Sequence, residues 1–103
     1  MKKENDEWDI YTTYGYIKKD VPFSKDMTVG TKHETIANPY SGVKVKLNPI
    51  EVAVYDTLMG SYNMHLAIGD KNIEQARELY NQFNIGKNWF IDNNPQAYFD
   101  LID

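Results

Sequence analysis

Cysteine is absent from this chain of 103 residues, which excludes disulfides, thiolate metal sites and cysteine nucleophiles together. Small secreted domains commonly depend on such staples, so the expected compartment is a reducing cytoplasm. Histidine occurs only as His33 and His65, with no HExxH or His-x-His spacing, and a zinc site would have to be assembled from scattered carboxylates. The six glycines are dispersed at positions 15, 30, 42, 60, 69 and 86, so no glycine-rich loop exists to cradle phosphate. Ser41 and Ser61 lack the strand-to-helix elbow and the His-Asp constellation that activates a serine. Glu74 and Glu78 flank Arg77, the pattern of a screened surface pair rather than of an acid and a base with separated pKa values. Long apolar runs are also missing, and the start of the chain, Lys2-Lys3-Glu4-Asn5-Asp6-Glu7, is charged. Neither a signal peptide nor a membrane span is expected. The expectation from these absences is a protein that is not an enzyme and that uses no cofactor or metal.

Basic charge is scarce where the chain reads as helical. Residues 49 to 103 hold three basic residues against eight acids, whereas residues 1 to 48 hold eight lysines against seven acids. A phosphate backbone needs a basic face to release its counterions, so direct nucleic-acid binding is not expected. The acidic half reads as a solvated surface or as a face for a basic partner.

Aromatic and β-forming residues are plentiful by comparison. Eight tyrosines, four phenylalanines and two tryptophans supply rings with polar handles for a core or for contacts. Trp8, Ile10, Tyr11, Tyr14, Tyr16 and Ile17 crowd one segment, which predicts an extended aromatic arm rather than a helix. Residues 19 to 30 read as a loop that Val21, Phe23, Met27 and Val29 could pin to the domain. Strands are expected near Lys32 to Ala37 and Val43 to Leu47, joined by the turn residues Asn38-Pro39-Tyr40-Ser41-Gly42.

From Pro49 the periodicity changes from two to about 3.6. Asn48 and Glu51 form the ends of a capping box, with Pro49 at the first helical position. Val52, Tyr55, Met59, Tyr62 and Leu66 then step by three and four, predicting a largely buried helix from Pro49 to about Ala67 that Gly69 ends. Gly60 inside it suggests close approach of another backbone. Asp70 is the expected cap of a second helix from about Lys71 to Ile91, antiparallel to the first, with Gly86 as its weak point. Asn94 and Pro95 start a short third helix, Gln96 to Ile102. The fold class expected is α+β, mostly α: a hairpin, an antiparallel helix pair and a short C-terminal helix. Residues 1 to 30 form arm and loop, and residues 31 to 103 the hairpin and helical domain.

The ordered string of Asn38-Pro39-Tyr40-Ser41-Gly42, Leu47-Asn48-Pro49-Ile50-Glu51-Val52-Ala53-Val54-Tyr55-Asp56, Gly60, Gly86 with Trp89-Phe90, and Asn93-Asn94-Pro95-Gln96-Ala97-Tyr98 resembles a group of small uncharacterised bacteriophage proteins. The resemblance covers the last two thirds of the chain and carries over no catalytic or binding residues. It implies phage origin and action in the cytoplasm of an infected cell or in the virion. The aromatic N-terminal segment departs from the group's pattern.

Two roles follow as expectations. One is a non-enzymatic protein that binds a host factor or a defence component through its acidic helices or its aromatic arm; the other is a minor virion component or oligomer building block. Trp8, Tyr11, Tyr14 and Tyr16 are the candidate partner-binding residues, because no helical or strand periodicity accounts for them. If the capping box forms, Asn48→Ala should lower stability by about 1 kcal/mol, read as a lower urea midpoint at unchanged slope; an unmoved midpoint would mean that the box is not made.

Overall fold

A computed structural model describes residues 10–103; Trp8 lies outside the described residues. The first element corrects the expectation of an extended arm. Ile10–Thr13 is a helical turn, α1, and Gly15 at φ 85° ends it. Gly15 N–H donates to the Thr12 carbonyl at 3.0 Å and Tyr16 N–H to the Tyr11 carbonyl at 2.9 Å, the paired bonds of a glycine-terminated helix end. A C-terminal cap therefore overrides the β propensity of the flanking residues. Tyr11 is buried in the core, and a 3₁₀ turn, Lys18–Asp20, leads into the buried Val21. Phe23, Met27 and Val29 pack against that core, so the loop is pinned by the four apolar residues expected to do so.

Strands β1, Glu34–Ala37, and β2, Lys44–Leu47, pair antiparallel with Glu34 opposite Leu47 and Ala37 opposite Lys44. Asn38 organises the connection. Its Oδ1 accepts the N–H groups of Tyr40 and Ser41, while Gly42, at φ 79°, donates to the Asn38 carbonyl. Asn and Gly thus provide the side-chain turn and the left-handed residue that the sequence called for.

Helix α2, Pro49–Ile68, opens on the predicted capping box: Glu51 N–H donates to Asn48 Oδ1 at 2.8 Å and Asn48 N–H donates to Glu51 Oε1 at 2.9 Å. Gly69 ends α2 by donating to the His65 carbonyl. Asp70 falls in a 3₁₀ turn, Gly69–Lys71, and the cap of the next helix is Asn72, whose side chain accepts from Gln75 N–H. An Asn two residues on makes the same bond and leaves room for the tight turn between antiparallel helices. Helix α3, Ile73–Asn93, runs unbroken through Gly86. Asn94 then caps α4, Pro95–Ala97, which widens into a π turn over Tyr98–Ile102 instead of continuing as α-helix.

The two glycine expectations in the helices exchange places. A Cβ at Gly60 would meet nothing within 4 Å, whereas one at Gly86 would lie 2.8 Å from both Cβ and Cδ2 of Leu58 and 3.3 Å from Phe23 Cε2. Gly86 is where α3 approaches α2, and Leu58, fully buried, fills the space that its missing side chain leaves. Around this contact lie Leu47, Ile50, Val54 and Phe90, all fully buried. The fold is α+β and mostly helical. Gly86→Ala should cost about 1–3 kcal/mol through overpacking, while Gly60→Ala should be neutral or stabilising by up to about 1 kcal/mol. Chemical denaturation of the two variants side by side checks the assignment, and the reverse order would refute it.

Candidate functional site

The predicted apolar stripe of α2 divides into two. Val52, Tyr55 and Leu58 are buried, Met59 and Tyr62 are half-buried, and Leu66 is exposed. Strand β2 and helix α3 pack against α2, and burial falls along its stripe toward the C-terminal end. An apolar helix face thus continues past the region where other elements close over it. Tyr55, Met59, Tyr62 and Leu66 become one side of an open groove of about 580 Å³. Tyr80 and Phe83 of α3, Pro39 and Tyr40 of the hairpin loop, and Leu101, Ile102 and Asp103 complete it. Contiguous exposed apolar surface of this kind marks interaction sites in soluble domains.

The rings along this groove touch one another. Tyr62 and Phe83 lie 5.0 Å apart at 40° and Tyr80 and Phe83 5.9 Å apart at 32°, and His65, outside the groove lining, lies 5.1 Å from Tyr80. His65 Nδ1 donates to the Ala76 carbonyl at 2.9 Å, which fixes the imidazole against α3. Burial pushes the Tyr55 phenol above its usual range, with the Asp56 carboxylate adding to the effect. Tyr55 therefore faces neutral solution as an uncharged phenol.

Tyr40 stands apart from these packed rings. It is 97% exposed, yet its loop is held at both ends. Val43 N–H donates to Ser41 Oγ, and Asn38 Nδ2 donates to the Asp100 carbonyl at 2.8 Å, which fastens the loop to the C-terminal turn. A large aromatic ring that contributes nothing to the core is thus presented on a rigid support beside an apolar groove. Exposed aromatics on ordered loops are the side chains that dominate binding energy when a partner buries them.

The N-terminal candidates lie elsewhere and are largely taken up by the fold. Tyr11 is 5% exposed within the core. Tyr16 is half-buried, accepts a hydrogen bond from Asn48 Nδ2 at 3.1 Å and lies 5.5 Å from the Trp89 ring. Burial raises its phenol pKa, which the Asn48 bond lowers and the Glu51 carboxylate raises. Tyr14, also half-buried, meets His33 edge-on at 5.4 Å. Trp8 is outside the described residues. Tyr40 was read from the sequence only as part of a turn; the available signal was an aromatic ring at a position where a turn needs none.

Among the described residues, no group of three or more His, Asp or Glu is placed to hold a metal ion, and no helix is long and apolar enough to cross a membrane. Comparison of the chain with family models, curated proteins and solved structures finds no match.

Desolvation, and then the Glu34 carboxylate, raise the Asp56 carboxyl above its ordinary value. Its ionised form is therefore less favoured folded than unfolded, so its contribution to stability falls as pH rises from the unfolded pKa through the folded one. Asp56→Asn should raise the urea midpoint at neutral pH and flatten the acid-range slope of stability against pH. A lowered neutral midpoint would contradict the assignment.

Proposed function

We propose that this domain is a non-enzymatic binding protein, of the small bacteriophage kind that its landmarks resemble. It acts in the infected cell by engaging another protein, a host factor or defence component, through the groove that Tyr40 borders. The observation that carries this reading is the pairing of a fully presented tyrosine with a loop locked by side-chain and backbone hydrogen bonds. Ordering the loop before binding removes an entropic cost that a flexible loop would incur on association. The adjoining groove supplies apolar area for a partner to bury, and the rings in it are of the type enriched in interface cores. A role for the N-terminal tyrosines in the same contact is less favoured, because Tyr11 and Tyr16 are engaged within the domain.

Affinity capture from bacterial host lysate at several salt concentrations, run in parallel with the native chain and Tyr40→Ala, tests this. The native chain should retain a specific protein that Tyr40→Ala loses. The variant's denaturation midpoint should stay within about 0.5 kcal/mol of native, as expected for an exposed position. Equal capture by both chains, or no specific partner at any salt, would sink the reading.

A further inference from the structure

We propose that the groove receives an amphipathic helix of the partner protein that carries an arginine, its guanidinium seated between the aromatic wall and Asp103. The inference rests on the binding role given to this face above and names the chemistry of the occupant. Among the described residues that line the groove, Asp103 is the one that bears a charge. The Tyr98 hydroxyl donates to Asp103 Oδ1 at 3.3 Å and so orients the carboxylate. The same groove is lined by Tyr62, Tyr80 and Phe83, whose rings meet at interplanar angles of 32° to 40°, and the negative face of an aromatic ring attracts a cation. Carboxylate and ring faces thus select the same sign of charge.

Arginine suits this combination better than lysine. A planar guanidinium stacks on rings and pairs with a carboxylate through two parallel N–H donors, and it is less strongly hydrated than an ammonium. The shape points to a helix. From Tyr55 to Leu66 the apolar side formed by α2 extends about 16 Å, three helical turns, with α3 on one flank and the hairpin loop and C-terminal turn completing the lining. An amphipathic helix docks into such a groove through anchors spaced by three and four residues. A second copy of this chain is a poorer occupant. Its one arginine, Arg77, stands between Glu74 and Glu78 on α3, and each copy carries a formal charge of −4.

The test is an NMR titration of the full chain with a helical model peptide of about fourteen residues, built from Leu and Arg, and with its twin in which citrulline replaces every Arg. Citrulline keeps the shape and removes the charge. The Leu/Arg peptide should shift the methyl signals of Met59, Leu66 and Leu101, and the citrulline twin should bind about tenfold more weakly. Asp103→Asn should remove most of that difference, while Asp92→Asn, outside the groove, should leave it unchanged. Equal affinity of the two peptides for the groove overturns the arginine assignment and leaves the groove standing as a binding face. Shifts confined to other surfaces, or none, overturn the proposal, and the Tyr40→Ala capture experiment then judges the binding role separately. Concentration-dependent dimers of the free chain that Tyr40→Ala abolishes would make a second copy the occupant and overturn it as well.

Discussion

The buried carboxylate of Glu51 joins the parts of this fold that are distant in sequence. One of its oxygens accepts the Asn48 N–H and the other accepts Asn94 Nδ2 at 2.8 Å, so the start of α2 is tied to the junction of α3 and α4. Asn48 extends the connection to Tyr16, and Asn94 in turn accepts from Ala97 N–H. A buried carboxylate is costly unless its oxygens are satisfied. The interaction is supported by position as well, because Glu51 lies in the first turn of α2, where the helix dipole favours negative charge. A device that looks local, a capping box, is therefore also the joint between the N-terminal segment, the hairpin exit and the C-terminal turn. Within such a network the loss of one member leaves its partners without their bonds in a low dielectric.

The apolar core complements this polar joint. Gly86 lets α3 approach Leu58 of α2, and Phe23 closes over the same point with its backbone at φ 66°. A phenylalanine in left-handed conformation is uncommon and persists where surrounding packing holds it. Asp26 and Met27 N–H groups both donate to the Phe23 carbonyl, so the turn that follows the strained residue is closed on it. Ser61, buried, donates to Gln82 Oε1 and carries the helix contact one turn further. Beyond that level the apolar face of α2 is no longer covered and lines the groove, with Leu66 exposed.

That opening explains why a stripe with regular helical spacing serves two purposes. Its first half holds the domain together and its second half contributes to the groove. The hairpin loop, fastened to the C-terminal turn by Asn38 and Asp100, sets Tyr40 at the rim of the same groove. Support for a binding role thus comes from the contrast between a carefully ordered loop and a side chain that the fold leaves unused.

Much of the architecture was legible in residues that act locally. Asn48, Pro49 and Glu51 wrote the start of α2, Asn38 and Gly42 the hairpin turn, and Asn94 with Pro95 the last helix, because a cap or turn needs only its own few neighbours. Local reading went astray where two devices competed: Gly15 ended a helical turn in a segment rich in strand formers, and Asn72 displaced Asp70 as a cap. Which glycine marked a close approach was not local at all, since Gly60 and Gly86 have the same intrinsic properties and differ only in whether Leu58 lies opposite. The groove belongs to that second kind. Periodicity reports that a face is apolar, but whether another element covers it depends on where the hairpin and the C-terminal turn come to rest. The sequence by itself determined the hairpin, the two long helices, their order and the caps at Asn48 and Asn94; only tertiary packing decided that Tyr11 would be buried, that Tyr40 would be presented and that Leu66 would be left uncovered, because burial is a property of neighbours brought together from distant parts of the chain.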